Sequence, residues 1–206
     1  QTMLETTVAI THATHADVPA VASVLARAFQ DDPVFAWSIP DPDRRRACLP
    51  AVFAALADLY VPHDETYIAD DGAGAALWAP TRVDPFHGEA GEAFNQRMGE
   101  LLDDPEVERF LTVGKVFAEH HPAQPWMYLQ LIGVAPDHQR RGLGSRLMGP
   151  VLARCDATGT PAYLEATTAD NRRLYERHGF ETIGDVTLPD DGPLVWLMWR
   201  EPVARA

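Results

Sequence analysis

Between an apolar run over residues 126–134 and a helically periodic segment that opens at Leu143 lies the hexapeptide Gln139-Arg140-Arg141-Gly142-Leu143-Gly144. A strand, a basic glycine turn and a helix, in that order, leave few ways to fold. Leu143, Leu147, Met148, Val151, Leu152 and Cys155 recur at helical spacing and put one helix face on a core. The turn then sets the N-terminus of that helix at the end of the strand. The first backbone N–H groups of a helix have no internal partner, and the macrodipole gives that end partial positive charge. Gly142 and Gly144 lack a Cβ, so an anion can approach the backbone. Arg140 and Arg141 add fixed charge. The stretch predicts a site for a phosphate or diphosphate.

The rest of the chain alternates strand and helix patterns, as an α/β protein does. Residues 8–12 read as a first strand. Asp17 caps a helix carrying Val21, Val24, Leu25, Ala28 and Phe29, which ends near Asp31-Asp32-Pro33. Val34, Phe35, Trp37 and Ile39 follow in a segment that reads as a loop, either a lid over a pocket or a plug under the next helix. That helix is expected over residues 44–60. Residues 66–70 and 73–78 flank Asp71-Gly72, a hairpin signal. Residues 87–121 are helical in pattern, with Pro105 placed to open a second helix. The length of this insertion suits a wall around a substrate. Gly133, inside the central strand, predicts a bulge or a close backbone approach. A strand over 162–166, a short helix over 171–178 closed by Gly179, and a hairpin of 180–188 with 194–200 complete the pattern.

Composition narrows the partners. The 206 residues are 46% hydrophobic, enough for one domain, expected over residues 3–206 with the helical insertion at about 81–121. The net charge of −13 disfavours nucleic acid and weakly favours cationic substrates such as amines, or serves solubility alone. Cys48 and Cys155 fall in apolar-periodic stretches and read as free, buried thiols of a reducing compartment. No signal peptide or long apolar run is visible, so no membrane partner and a cytoplasmic location are expected. The eight histidines form no metal-ligating spacing. Gln1 and Thr2 precede Met3 and read as an addition ahead of a natural start.

The spacing Q-x-x-G-x-G, together with Asn171 and Leu174-Tyr175-Glu176-Arg177-His178-Gly179-Phe180, resembles the GNAT superfamily of acyl-CoA-dependent N-acetyltransferases. Further pieces are similar to puromycin N-acetyltransferase and its actinobacterial relatives. They are Ala28-Phe29, Asp32-Pro33, Asp41-Pro42-Asp43-Arg44, Ala69-Asp70-Asp71-Gly72 and Pro136-Asp137-His138-Gln139. Residues 81–119 depart from that pattern. The resemblance implies an α+β fold whose mixed, mostly antiparallel central sheet is flanked by helices and splays between its fourth and fifth strands. It implies acetyl-CoA as co-substrate, without a metal. Backbone of Ile132, Gly133 and Val134 would bind pantetheine, with the Val134 N–H polarising the thioester. The stretch Gln139, Arg140, Arg141, Gly142, Leu143, Gly144 and Ser145 would hold the pyrophosphate. Asn171 would hold the pantetheine arm or position its helix.

Two proton transfers then need groups. Tyr175 matches the family's acid position, and a phenol of pKa about 10 can protonate a departing thiolate at neutral pH. Glu165, at a strand end, is a candidate base, with His120 and His121 as alternatives. Phe29, Phe35, Trp37, Phe53 and Tyr60 are candidates to line the acceptor site. The expected function is acetyl transfer to an amine of a small molecule, an aminonucleoside or another antibiotic among the candidates, by a monomer or homodimer. A non-catalytic acyl-CoA-binding or sensor protein on the same fold is the alternative. A dinucleotide oxidoreductase is disfavoured, because no G-x-G-x-x-G opens an early βαβ unit.

Overall fold

The computed structural model describes residues 8–204, so Gln1, Thr2 and Met3 lie outside the described residues. Fourteen main elements follow in order: β1 (Ile10–His12), α1 (Val18–Ala28), α2 (Pro33–Ser38), α3 (Pro42–Tyr60), β2 (Thr66–Ala69), β3 (Gly74–Ala79), α4 (Gly88–Leu101), α5 (Asp104–His120), β4 (Met127–Val134), α6 (Leu143–Thr158), β5 (Ala162–Ala166), α7 (Ala169–Glu176), β6 (Glu181–Thr187) and β7 (Leu194–Arg200). The strands form one seven-stranded sheet in the order β1-β2-β3-β4-β5-β7-β6. Every pairing is antiparallel except β4 with β5.

Strand alternation divides the core in two. Ala75, Leu77, Tyr128, Leu131, Tyr163 and Leu197 face α1 and α3. Ala76, Trp78, Met127, Leu129, Leu164 and Met198 face α6 and α7. Six core residues read from the periodicity of α6, Leu143 to Cys155, are all buried there. Two left-handed glycines bound that helix, Gly142 at φ 78° and Gly159 at φ 67°.

Four sequence expectations change in detail. The first strand is shorter, beginning at Ile10. Asp17 does not cap α1 with its side chain; its carboxylate turns back one short turn to the N–H and hydroxyl of Thr14, both at 2.8 Å. The apolar segment at Val34 is a helix, not a loop. Asp32 caps α2 by accepting from Val34 and Phe35 N–H, and Pro33 fits the first turn. Phe35 packs on Phe53 of α3 at 5.1 Å between ring centroids, so the segment is the plug rather than the lid.

Gly133 marks a close approach, while the bulge lies at Gln130. A Cβ at Gly133 would stand 2.8 Å from Ala28 Cβ and 2.9 Å from Leu25 Cδ2, so only glycine lets α1 lie against β4. Leu77 pairs with Leu131 and Trp78 with Leu129, leaving Gln130 as the extra residue. Its side chain accepts a hydrogen bond from Tyr60 Oη at 2.8 Å.

Arg45 is buried and ties the loops around α2, donating to the carbonyls of Gln30 and Ile39 at 2.6 and 2.5 Å. Cys48 and Cys155 are free and buried, one on each side of the sheet. Among the described residues, no helix is long and apolar enough to cross a membrane.

Candidate active site

The site begins where β4 and β5 part. Their parallel ladder runs from Met127↔Ala162 to Leu129↔Leu164 and stops. Beyond it, β4 continues through Val134 and β5 through Ala166 with no pairing between them, so one edge of β4 is open. The Ala135 N–H donates to Ala73 on the β3 side. By two-residue alternation, the N–H and C=O groups of Val134 and Ile132 therefore face the gap. The Val134 carbonyl is already taken by Gln139 Nε2 at 3.1 Å. The Val134 N–H and both groups of Ile132 face it as open main-chain partners.

The glycine turn follows at once. Arg140 and Gly142 both have left-handed backbone, at φ 62° and 78°. Gly144 has a different reason to be small: a Cβ there would press on Leu174 Cδ2 at 3.2 Å, where α7 packs on α6. Among the described residues, the N–H groups of Leu143, Gly144 and Ser145 have no carbonyl acceptor. The Ser145 hydroxyl and His178 Nε2 are hydrogen-bonded at 2.8 Å. Burial first, then Arg177 and Arg200, holds the His178 pKa below the usual value. A cleft of about 200 Å³ beside the turn is lined by Asp71, His138, Arg141, Leu143 and Arg146. Free N–H groups, a left-handed turn and converging arginines are the donor set a diphosphate requires.

Glu165 occupies the first position of β5 beyond the ladder, on the α1 and α3 side of the sheet. Its side chain is 3% exposed. Oε2 accepts from Tyr128 Oη at 2.6 Å. Oε1 lies 3.3 Å from His121 Nε2, close enough for an ion pair, yet neither atom gains an aligned hydrogen bond. Proximity without alignment leaves Oε1 with lone-pair capacity. Trp126, Tyr128 and Tyr163 surround the His121 ring at 4.9, 5.1 and 5.5 Å.

Tyr175 lies on the opposite side, in the core layer of α6 and α7. Burial pushes its pKa well above the ordinary phenol value, and the charge of Asp32 adds to that. Among the described residues its hydroxyl has no hydrogen-bond partner. Asp32 is held by the α2 backbone and by the hydroxyl of Thr167, which stands between β5 and α7. Asn171 sits in the first turn of α7, its N–H donating to Thr168 Oγ1 at 3.1 Å.

A model of the acetyltransferase (GNAT) family matches residues 25–180. The chain belongs to that family. An uncharacterized N-acetyltransferase of Schizosaccharomyces pombe is 26% identical over 207 residues, covering 90% of this chain and 80% of the relative. An acetyltransferase of Agrobacterium fabrum is 30% identical over 82 residues, covering 39% of this chain and 60% of its own. Among solved structures, a histone acetyltransferase HPA2 and related acetyltransferase from Corynebacterium glutamicum superposes with a TM-score of 0.70 at 28% identity, over 97% of this chain and 98% of that one. The protein is an N-acetyltransferase with a GNAT fold, and its family uses acetyl-CoA. The open edge of β4 and the free N–H groups of α6 fit that co-substrate.

In this GNAT chain the remaining candidates scatter. Glu165 and His121 come together. His120 does not join them; its exposed ring turns back along α5, with Nδ1 at 2.7 Å from the Val116 carbonyl. Phe29, Phe35 and Phe53 form one aromatic cluster inside the core, with centroids 5.1–5.5 Å apart. Phe53 and Tyr60 are fully buried: Phe53 lies within that cluster, while Tyr60 packs on Phe86 and donates to Gln130 of β4. Trp37 is half-buried beneath Arg109 of α5, which stacks on its ring at 5.4 Å and donates to its carbonyl at 2.8 Å.

Other residues lie around the candidate site without a role there that the sequence had suggested: Trp126, Tyr128, Tyr163, Asp32, Thr167, His178 and Arg146. The two tyrosines alternate correctly on their strands and read as ordinary core. A cleft of about 690 Å³ lies elsewhere, between α1 and α3, with Val18, Ala22, Ala26, Pro50 and Ala54 among its lining residues.

Proposed function

We propose that this protein transfers acetyl from acetyl-CoA to an amine of a small molecule, with Glu165 as the proton acceptor and Tyr175 as the proton donor. One observation carries the reading. A carboxylate with a buried side chain, Glu165, stands on β5 at the first position past its pairing with β4, and a buried phenol, Tyr175, lies in the core layer on the opposite face of the sheet.

Acetyl-CoA supplies the acetyl group as an activated thioester. Leu143, Gly144 and Ser145 N–H, with Arg140 and Arg141, hold the diphosphate. Ile132 and Val134 offer main-chain hydrogen bonds inside the gap, where the Val134 N–H polarises the acyl carbonyl. Asn171, in the first turn of α7, steadies the pantetheine arm. Glu165 Oε1 takes a proton from the incoming ammonium. Tyr175 gives its proton to the departing sulfur. Its raised pKa keeps the phenol protonated at neutral pH, the form a donor needs. Cys48 and Cys155 are buried in the two core layers, which supports direct attack by the amine rather than a cysteine-bound acetyl.

Residues 81–121 act as an insertion within a single acetyltransferase domain and shape the acceptor side. The packing of α5 on α2 through Arg109 and Trp37 supports that role. The net charge of −13, and the Trp126 and Tyr128 rings grouped around His121 beside Glu165, favour a cationic amine. Puromycin and other aminonucleosides are the acceptors that the sequence resemblance brings forward.

Thiol release tests the reading, with acetyl-CoA and a panel of primary amines, arylalkylamines, polyamines and puromycin. At least one amine is expected to raise release well above the amine-free rate. Release independent of every amine would count against it.

A further inference from the structure

Glu165 has a transport problem. When an ammonium becomes an amide, two protons leave nitrogen. One reaches the sulfur by way of Tyr175; the other must reach water. Glu165 is 3% exposed in its side chain, so it cannot discharge that proton directly. The group beside its free oxygen, His121, is 27% exposed and has Nε2 at 3.3 Å from Oε1.

We infer that His121 is the positioning and proton-relay residue of Glu165, receiving at Nε2 the proton that Glu165 takes from the amine and passing it to solvent. The inference rests on Glu165 being the base. In the relay, the N–H bond of the ammonium breaks as the O–H bond forms on Glu165. That bond then breaks as the imidazolium forms, and the imidazolium loses one proton to water. The proton leaves from the other ring nitrogen, Nδ1, so Glu165 returns to the carboxylate and His121 to a neutral ring that resets its tautomer through solvent before the next turnover, and no other reactant is consumed.

Three features favour a transient cation at His121. The carboxylate of Glu165 lies beside it. Trp126, Tyr128 and Tyr163 group around its ring at centroid distances of 4.9, 5.1 and 5.5 Å, within the range at which a cation and an aromatic ring interact. It also stands at the C-cap of α5, a helix of 17 residues, where the macrodipole favours positive charge.

The other groups around the pair do not compete for the proton. Tyr128 from β4 and Tyr163 from β5 face it directly, and Tyr60 from α3, hydrogen-bonded to Gln130, lies near enough to feel the Glu165 charge. Burial holds all three phenols above their ordinary pKa, and the Glu165 charge adds to this. Asp84 acts on Tyr60 in the same direction. His120 faces away, toward Val116.

Chemical rescue distinguishes a relay from a packing role. His121→Phe keeps an aromatic ring in the enclosure, and His121→Gln keeps a polar one. Both are expected to lower kcat about tenfold or more while leaving the KM for acetyl-CoA unchanged. Added imidazole should restore turnover in proportion to its unprotonated fraction. His121→Phe combined with Glu165→Gln should show no rescue. Wild-type kcat and pH profile in both single variants overturn the relay. So does a loss of kcat that imidazole leaves untouched, whether or not Tm falls with it. If Glu165→Gln alone retains full activity, the base assignment itself fails and the relay with it. An impaired Glu165→Gln beside a wild-type-like His121→Phe overturns only the relay.

Discussion

Tyr128 donates its phenolic hydrogen to Glu165 Oε2 across 2.6 Å, joining β4 to β5 beside the last register at which the strands pair. The bond fixes the carboxylate at the mouth of the gap and leaves its other oxygen uncommitted. Truncation to Tyr128→Phe strands a buried carboxylate oxygen, which costs about 1–3 kcal/mol, or several degrees of Tm. In a double-mutant cycle with Glu165→Ala, the two losses should be less than additive, since each variant removes one end of the same bond. Additive changes in Tm would show that the bond contributes nothing.

Gly142 is the left-handed residue from which α6 starts. No atom lies within 4 Å of where its Cβ would be, so Gly142→Ala meets only backbone strain. That strain costs about 1–2 kcal/mol. Acetyl-CoA at a hundred times its Kd should stabilise the wild type by about 2.7 kcal/mol, seen as a rise in Tm. The same concentration should stabilise Gly142→Ala less, because the turn that presents the N–H groups is distorted. Equal shifts for both proteins would remove the turn from the binding site.

Asp32 provides a pH signature. Burial raises its pKa above 3.8, outweighing the hydrogen bonds from Thr167, Phe35 and Val34 that act to lower it. The folded state therefore holds this proton more tightly than the unfolded one. Its stabilisation is complete below the unfolded pKa and is lost as pH rises through the folded value. Asp32→Asn cannot ionise. The Tm of the wild type minus that of Asp32→Asn should thus fall as pH rises above the ordinary carboxylate range, about 4. A flat or rising difference would contradict this assignment.

Much of the fold could be read from local pattern. The apolar period of α6, the Asp71-Gly72 hairpin and the run of β4 each follow from a short window of residues. The left-handed glycine turn ahead of α6 was equally legible, although its two glycines act for different reasons: Gly142 for its dihedral and Gly144 for the approach of Leu174. The helix α2 was missed because six apolar-rich residues show little periodicity, and its existence depends on the Asp32 cap. The bulge at Gln130 depends on register against β3, which no window reveals.

The site was legible only in part, because its contacts are long-range. Tyr128 and Glu165 are 37 positions apart, and Asp32 and Thr167 are 135 apart. A tyrosine at an inward strand position looks like core until the facing strand supplies a carboxylate. His120 and His121 were indistinguishable as neighbours in sequence. The end of α5 separates them, leaving one ring along the helix and turning the other toward Glu165.

The central claim is that Glu165 and Tyr175 carry the proton transfers from the two faces of the sheet. Its most direct test is amine-dependent thiol release by Glu165→Gln and Tyr175→Phe, with acetyl-CoA affinity measured in parallel by calorimetry. Each variant is predicted to lose about a hundredfold or more in kcat while binding acetyl-CoA as the wild type does. Wild-type kcat in either variant would contradict the role given to that residue, and wild-type kcat in both would overturn the account.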